Sequence, residues 1–177
     1  MYQVKELTDL NRLDEIFRLR VVAYEHSDQR QYINSETYPQ GFYDDLDKKS
    51  RHFIIENEGQ IIACARLISL ESLSQIPYYN LNSQALPIGW SPFWYYSRIA
   101  IHPDFMKMGL SLLIDEYIIN QLKGQEFYLV ILAKVKTQYY RENHGFRLVE
   151  TITGYDSPDY PFSKQRPTEL LIKKLSE

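Results

Sequence analysis

The stretch SRIAIHPDFMKMGLSLLID, residues 97–115, decides how the chain folds. It continues a run of aromatic and β-branched residues that predicts a buried strand over residues 93–101. His102-Pro103-Asp104 then ends the strand. Apolar residues recur three and four positions apart over residues 109–123, which predicts a helix with one apolar face, and Gly124 is a residue type that ends helices. The stretch therefore predicts a strand, a tight turn and a helix.

The first turn of this predicted helix has the features of an anion site. Its backbone N–H groups have no partner inside the helix, and the helix dipole adds partial positive charge. Gly109 lets a phosphate approach the backbone closely, Ser111 lies in the same turn, and Lys107 adds one positive charge. An ordinary helix cap is the alternative interpretation of the same glycine, and the second half of the chain is needed to decide between them.

The rest of the sequence predicts an α/β domain. Asn57-Glu58-Gly59 separates two apolar segments and predicts a hairpin turn, because Asn and Gly accept positive φ angles. A connector over residues 70–92 lacks clear periodicity, and we expect it at the acceptor or acyl site. The order predicts one domain over residues 1–177, with a mixed, partly splayed sheet of about six to seven strands flanked by helices. The remaining predicted elements are a helix over 10–24, strands over 52–56, 60–68 and 127–133, a helix over 135–143, and strands over 146–152 and 169–173.

Composition limits the classes of function. The chain has 177 residues and a net charge of −3, without the basic stripe of a nucleic-acid-binding protein. Its single cysteine, Cys64, excludes an internal disulfide, and its four scattered histidines show no metal-ligand spacing. No apolar run reaches the roughly 18 residues of a membrane span, and the N-terminus lacks the apolar segment of a signal peptide. We expect a cytoplasmic protein that binds neither nucleic acid nor metal.

Two motifs resemble the GNAT superfamily of acyl-CoA acyltransferases. The stretch IAIHPDFMKMGLS, residues 99–111, is similar to the acetyl-CoA motif, and YYRENHGFRLV, residues 139–149, is similar to the second motif of that family. The resemblance implies a GNAT-like fold in which acetyl-CoA or a longer acyl-CoA lies between two strand–helix units. It implies that backbone groups of the strand hold the pantetheine arm and that N–H groups of the turn hold the pyrophosphate. The cofactor-binding residues implied in this way are Ile99, Ala100, Ile101, Met106, Lys107, Met108, Gly109, Leu110 and Ser111.

The resemblance also implies a mechanism of direct attack. A neutral amine of a small-molecule acceptor attacks the thioester carbonyl, a backbone N–H of the central strand stabilises the oxyanion, and a tyrosine protonates the departing thiolate. Tyr140 is the expected acid and Tyr139 is the alternative. The general base is left open between Asp44, Asp47 and His52, each acting through water.

The motifs depart from the family pattern at two places. Met106 stands where the family has Gln or Arg, and Ser111 stands where it has Gly or Ala. The family tyrosine lies four residues before the motif glycine, whereas Tyr140 lies five residues before Gly145. These departures leave open a second class of function, in which the domain binds acyl-CoA without catalysis.

A further resemblance concerns the N-terminal half and points to acyl-homoserine-lactone synthases and long-chain N-acyl amino acid synthases. Arginines at 66 and 98 interrupt apolar strands, where a guanidinium needs a buried partner. We therefore expect them to meet the aspartates before the first hairpin as a charged network that binds substrate. An acyl-carrier-protein-dependent synthase is thus an alternative to an acyl-CoA enzyme, and a homodimer is left open. The pattern consists of Arg20, Tyr24, Asp44, Asp47, Arg66 and Arg98.

Overall fold

The structure is a computed structural model that describes residues 2–79, 81, 86–87, 89–152, 160–162, 164 and 166–176. Its strands and helices follow the predicted order, with bounds that differ by at most three residues from those predicted, and sequence analysis gave no range for the short first strand. The strands are β1 (Val4–Glu6), β2 (Arg51–Asn57), β3 (Gln60–Leu70), β4 (Phe93–Ile101), β5 (Tyr128–Ala133), β6 (Arg147–Ile152) and β7 (Thr168–Lys174). The helices are α1 (Leu13–Glu25), α2 (Leu110–Leu122) and α3 (Thr137–His144).

The strands form the mixed sheet that the sequence predicts. Their order is β1-β2-β3-β4-β5-β7-β6. The pair β4–β5 is parallel, whereas β1–β2, β2–β3, β5–β7 and β6–β7 are antiparallel. The parallel pairing joins Phe93–Tyr96 to Tyr128–Ile131. Seven strands with helices between them confirm an open α/β sheet.

The described residues group into two compact units, the first made of residues 1–67 and 97–121. In this unit Ile54 of β2 and Cys64 of β3 are partners in register, and both belong to the apolar cluster that contains Ile16 of α1. Neighbouring residues of a strand point to opposite faces of the sheet. Accordingly, the ring of Phe53 contacts Tyr117 of α2, with centroids 5.8 Å apart. The two helices thus cover opposite faces of β2 and β3.

The second unit consists of residues 68–96 and 122–177. Its strands β5 and β7 are rich in buried aliphatic residues, as expected for strands with neighbours on both sides. After α2, the Gly124 N–H donates to the Leu175 carbonyl (2.8 Å), and the indole N–H of Trp94 donates to the Gln125 side chain (2.8 Å). These bonds fix the turn that leads into β5. That the whole chain is one domain stays a prediction.

The turn between β2 and β3 has the predicted place but a different physical basis. Positive φ angles occur at Glu58 (50°) and Gly59 (82°), and Asn57 is instead the last residue of β2. A hairpin with a type I′ turn has positive φ at both central residues, and the twist of this turn matches that of the flanking strands. The chain therefore accepts a left-handed glutamate here.

The connector over residues 70–92 is described in part. Strand β3 continues to Leu70, and a short 3-10 helix, Leu73–Gln75, follows with Ser72 and Gln75 forming a capping box. Residues 80, 82–85 and 88 lie outside the described residues. A role of the connector at the acceptor or acyl site stays a prediction.

Among the glycines of the first unit, Gly41 lies closest to a neighbouring segment. Its φ is +100°, and a Cβ at this position would lie 2.5 Å from the Phe17 Cβ and 2.8 Å from the Phe17 carbonyl carbon. The next residue, Phe42, donates its N–H to the Phe17 carbonyl (3.0 Å). Any side chain at position 41 would therefore push this segment away from α1.

We predict that Gly41→Ala lowers the free energy of unfolding by about 2–4 kcal/mol, from backbone strain and overpacking together. Gly59→Ala is the matched control, because its φ is +82° and nothing lies within 4 Å of the added Cβ. Backbone strain alone should cost about 1–2 kcal/mol there. Urea unfolding of both variants measures the difference, and equal losses would contradict the close approach at Gly41.

Candidate functional site

The turn before α2 presents a row of unpaired backbone N–H groups. In the 3-10 turn before α2, the Met106 N–H is the last one that donates to a backbone carbonyl. In α2, the Leu112 N–H is the first one that does so. The N–H groups of the five residues between them have no hydrogen-bond acceptor among the described residues. Lys107 (φ 63°) and Gly109 (φ 76°) both have left-handed backbones. Alternating backbone of this kind turns successive N–H groups toward one concave surface, which is an anion-binding arrangement.

The cradle, as we name residues 107–111, is open and weakly charged. A Cβ added at Gly109 would meet nothing within 4 Å. Lys107 is its single basic side chain. Four apolar side chains around the cradle are exposed, where most proteins place polar groups. They are Met106 (40%), Met108 (52%), Leu112 (42%) and Leu113 (43%).

The end of β4 leads directly into the cradle. Ala100 is buried in the apolar cluster of the first unit, and the His102 N–H donates to the Ile62 carbonyl of β3 (2.8 Å). The His102 ring accepts the Asp104 N–H (3.3 Å), so His102 caps the short turn. The predicted cofactor-binding residues of β4 and of the turn are therefore adjacent parts of one unit. Their role in binding an acyl donor stays a prediction.

The predicted charged network is present, also within the first unit. Asp44 accepts from Arg66 (Oδ1 to Nη1, 2.6 Å) and from Arg98 (Oδ2 to Nη2, 2.7 Å). Asp47 accepts from Arg20 (Oδ1 to Nη2, 2.8 Å) and lies 3.2 Å from Arg66. The predicted ion pairs of Arg66 and Arg98 with this pair of aspartates are confirmed, and the pairing of Arg20 is an addition. The arginines come from α1, β3 and β4, and the aspartates come from the segment after Gly41.

Burial and charge act in opposite directions on the two carboxyl groups. Burial favours the neutral form of Asp47, but Arg20 and Arg66 outweigh it and hold the pKa of Asp47 well below its usual range. Burial likewise opposes ionisation of Asp44, and Arg98 and Arg66 hold its pKa below the ordinary value. Both groups are therefore carboxylates near neutral pH.

The network contains more positive than negative charge. Three guanidinium groups meet two carboxylates, and burial, together with Arg20 and Arg66, lowers the pKa of the neighbouring His52. The Arg66 Nε donates to the Ser97 hydroxyl (3.2 Å), but its Nη2 is buried without a hydrogen-bond partner. One positive charge is left over in this group of side chains. A buried guanidinium with an unused N–H is an arrangement that an anionic ligand would complete.

Arg98 carries local strain at this point of β4. Its φ is +59° in the middle of a strand, a conformation that L-residues adopt rarely and at a cost of about 1–3 kcal/mol. The ion pair with Asp44 and the ring of Phe42, 4.8 Å from the guanidinium carbon, hold the side chain in place. Tyr24 contacts the same ring, with centroids 5.8 Å apart, and burial raises the pKa of Tyr24. The contribution of Phe42 had no signal in the sequence beyond its closeness to Asp44.

His52 and Cys64 lie in the same buried region. The His52 Nε2 donates to the Asp47 carbonyl (2.9 Å), since a carbonyl can only accept, so the neutral ring leaves a lone pair on Nδ1. That Nδ1 is buried and has no hydrogen-bond partner. Burial raises the pKa of the Cys64 thiol to about 11, which makes it an unreactive core residue.

The two candidate acids lie on α3, in the second unit. Tyr140 is only 2% exposed, and its ring packs on Phe146 with centroids 5.6 Å apart. Tyr139 is half-buried, and its hydroxyl is 2.8 Å from the Nε2 of His144. Sequence analysis did not foresee this partner, because residues five positions apart do not face each other on a regular helix. Catalysis by either tyrosine stays a prediction.

Over the described ranges, no group of three or more His, Cys, Asp or Glu side chains could hold a metal ion. No helix in the described part of the chain is long and apolar enough to cross a membrane.

Comparison with known proteins identifies the family. The sequence model of the acetyltransferase (GNAT) family matches residues 12–146, whereas no curated protein matches the sequence. An N-acyl amino acid synthase, FeeM, from uncultured soil microbes is similar in structure with a TM-score of 0.70 and 14% identity, covering 100% of this chain and 92% of that one. The ribosomal-protein-S18-alanine N-acetyltransferase from Escherichia coli gives a TM-score of 0.59 and 15% identity, with 100% and 96% covered. A GNAT-family acetyltransferase from Streptococcus agalactiae gives 0.60 and 18%, with 98% and 95% covered.

These structures share the fold at identities too low to carry a substrate from one protein to another. The family match covers most of the chain, including β4, the cradle and α3. The chain therefore belongs to the acetyltransferase (GNAT) family and is a GNAT-type N-acyltransferase.

Proposed function

We propose that the protein transfers an acyl group from an acyl-CoA to the amine of a small molecule by direct attack. The observation that carries this proposal is the row of five unpaired N–H groups over residues 107–111. A pyrophosphate supplies the acceptors that these groups lack, and the dipole of α2 favours its charge. The pantetheine arm would then follow the backbone of Ile99, Ala100 and Ile101.

In the proposed reaction the amine nitrogen forms a bond to the thioester carbonyl carbon and the carbon–sulfur bond breaks. The thiolate takes a proton from a tyrosine of α3, Tyr140 or Tyr139. Of the candidate bases, both aspartates already accept hydrogen bonds from guanidinium groups, and their lowered pKa values make them weak bases. The neutral ring of His52, with its unused Nδ1, fits the role better. A cytoplasmic location and a homodimer belong to the proposal as predictions.

We further propose that the acceptor carries a carboxylate, as an amino acid does. The network has one positive charge in excess, and Arg66 has a buried N–H without a partner. Guanidinium groups match carboxylates in geometry as well as in charge. The proposal agrees with the shared fold of the solved N-acyl amino acid synthase.

A second candidate donor is an acyl-carrier protein. The apolar patch, which we define as Met106, Met108, Leu112 and Leu113, borders the cradle and is at least 40% exposed. Free CoA brings a pyrophosphate and a further phosphate, whereas a carrier protein presents one phosphodiester and a protein surface. A cradle with one lysine suits the smaller charge, and the patch suits contact with a protein.

We predict that Gly109→Glu abolishes CoA binding measured by calorimetry, because a side chain and a negative charge would enter the cradle. Gly109→Ala is the control: its backbone strain is similar, but its methyl group meets no neighbour within 4 Å. It should retain binding within about tenfold, equivalent to 1.4 kcal/mol. Undiminished binding by a folded Gly109→Glu protein would exclude the cradle as the phosphate site.

We predict that Arg98→Lys raises the acceptor KM about tenfold or more while CoA affinity changes little, because lysine cannot form a bidentate contact with a carboxylate. Arg51→Lys is the matched control, since Arg51 pairs with Glu6 (2.7 Å) at the surface of the same unit. Initial rates with each of the twenty amino acids as acceptor provide the measurement. An unchanged KM in a stable Arg98→Lys protein would show that the network does not recognise the acceptor.

If the donor is a carrier protein, Met108→Gln combined with Leu112→Gln should lower kcat/KM with acyl-carrier protein about tenfold. The same variant should use acyl-CoA as well as the unmodified protein does, because glutamine leaves the charge of the cradle unchanged. Leu10→Gln replaces a leucine that is exposed to a greater extent (57%) outside the patch and serves as control. Equal losses of kcat/KM with both donors would show that the apolar patch supports the cradle itself and does not contact a carrier protein.

A further inference from the structure

Tyr38 is a half-buried tyrosine beside the charged network that sequence analysis did not single out. Its ring meets the ring of Phe42 edge to face, with centroids 5.0 Å apart. The guanidinium carbon of Arg98 lies 4.8 Å from the centroid of the same Phe42 ring. Phe42 is fully buried, so Tyr38 and Arg98 both pack on one ring that the core of the first unit holds in place.

The local sequence fixes the backbone of Tyr38. The stretch YPQG, residues 38–41, forms a four-residue turn in which the Gly41 N–H donates to the Tyr38 carbonyl (3.0 Å), and proline and glycine stand where such turns favour them. The Tyr38 N–H donates to the Asn34 carbonyl (2.9 Å), and the side-chain oxygen of Asn34 accepts the Thr37 N–H (3.0 Å). Tyr38 is therefore held before any ligand binds, which lowers the entropy lost on binding.

Exposure separates Tyr38 and Arg98 from the rest of the network. The side chains of Arg20 and Arg66 are 0% exposed, whereas that of Arg98 is 8% exposed. The Tyr38 hydroxyl has no hydrogen-bond partner in the part of the chain that the structure describes. A carboxylate that approaches from solvent therefore meets a partly exposed guanidinium and an unused hydroxyl, both packed on Phe42.

The protonation state of Tyr38 suits a hydrogen-bond donor. Burial raises the pKa of Tyr38, and the positive charge of Arg98 acts in the opposite direction. The pKa stays above its ordinary value, so the phenol keeps its proton near neutral pH. A neutral hydroxyl that donates to a carboxylate forms a short hydrogen bond that is stronger than one between two neutral groups.

We propose that Tyr38 determines acceptor specificity by donating its hydroxyl hydrogen to the acceptor carboxylate beside Arg98; this rests on the proposed function. A carboxylate has about four lone-pair positions, so it accepts from a guanidinium and from a hydroxyl at the same time. An amine without a carboxylate gains nothing from either group. The pair therefore selects amino acids over simple amines by a hydrogen bond that the simple amine cannot form.

The test compares the amino acid that the protein uses fastest among the twenty with the primary amine that has the same side chain and no carboxylate. Release of free CoA from acetyl-CoA and decanoyl-CoA gives the rates. We expect Tyr38→Phe to raise the KM of the amino acid about tenfold, since a hydrogen bond to a charged group is lost. The same variant should keep kcat/KM for the amine within about twofold.

Tyr43→Phe is the matched control, because Tyr43 lies in the same segment, is 52% exposed and packs on Phe17 (centroids 5.0 Å apart) and not on Phe42. It should leave both acceptors unaffected. Urea unfolding should give the same midpoint for Tyr38→Phe as for the unmodified protein, because the hydroxyl that is removed bonds to no described residue. A raised KM then reports a contact with the acceptor and not a loosened fold.

Two results would overturn the role of Tyr38 while the proposed function stands. One is an unchanged amino-acid KM in a folded Tyr38→Phe protein. The other is an equal loss of kcat/KM with the amino acid and with the amine, which would mean that the hydroxyl does not contact the carboxylate. Failure of the proposed function would appear differently, as an unmodified protein that releases no CoA with any of the twenty amino acids, and it would refute both.

Discussion

Asp44 and Asp47 have to be ionised for the first unit to fold as it does, because they are the counter-charges of guanidinium groups that hardly reach water. Removing one partner of a buried ion pair costs about 3–5 kcal/mol, since it leaves the other charge uncompensated. Both aspartates have a pKa below the ordinary carboxyl value, so the stabilisation is complete above that ordinary value. It is lost as the pH falls through the lowered pKa values. The network also joins α1, β3 and β4 through one short segment, which explains why Gly41 must let that segment approach α1 so closely.

The same network is connected to the cradle, the proposed acyl-donor site, through the single strand β4. Arg98 pairs with Asp44 and has a left-handed backbone, and the residues directly after it run toward the cradle. A residue keeps a strained backbone conformation only where the surrounding structure restrains it strongly. The ion pair and the Phe42 ring supply that restraint. The geometry of the last residues of β4 therefore depends on buried charges, which couples the proposed acceptor site to the strand expected to hold the pantetheine arm.

The sequence predicted what depends on local pattern and on the cost of burial. Strand–turn–helix periodicity around residues 97–115 gave the central elements, and apolar strands interrupted by Arg66 and Arg98 led to the ion pairs. The features that sequence analysis missed depend on backbone conformation or on distant contacts. The left-handed backbone of Arg98 has no residue-type signal, because such conformations favour glycine and asparagine. The pairing of Tyr139 with His144 occurs where α3 ends in a wide turn, in which the Tyr140 carbonyl accepts the N–H groups of Gly145 and Phe146. The predicted spacing assumed a regular helix of 3.6 residues per turn.

The departures of the acetyl-CoA motif from the family pattern change side chains, whereas the cradle consists of backbone N–H groups. Met106 and Ser111 replace family residue types, and this was the reason for considering a domain that binds without catalysis. The unpaired groups of the cradle, however, are N–H groups that every residue except proline supplies, and neither replacement removes one. The replacements instead change the surroundings of the cradle: a glutamine or arginine is absent, and exposed apolar side chains stand beside it. Under the proposed function, a motif changed in this way retains the backbone N–H groups that would bind a phosphate. The departures then bear on donor identity more than on whether the family chemistry persists.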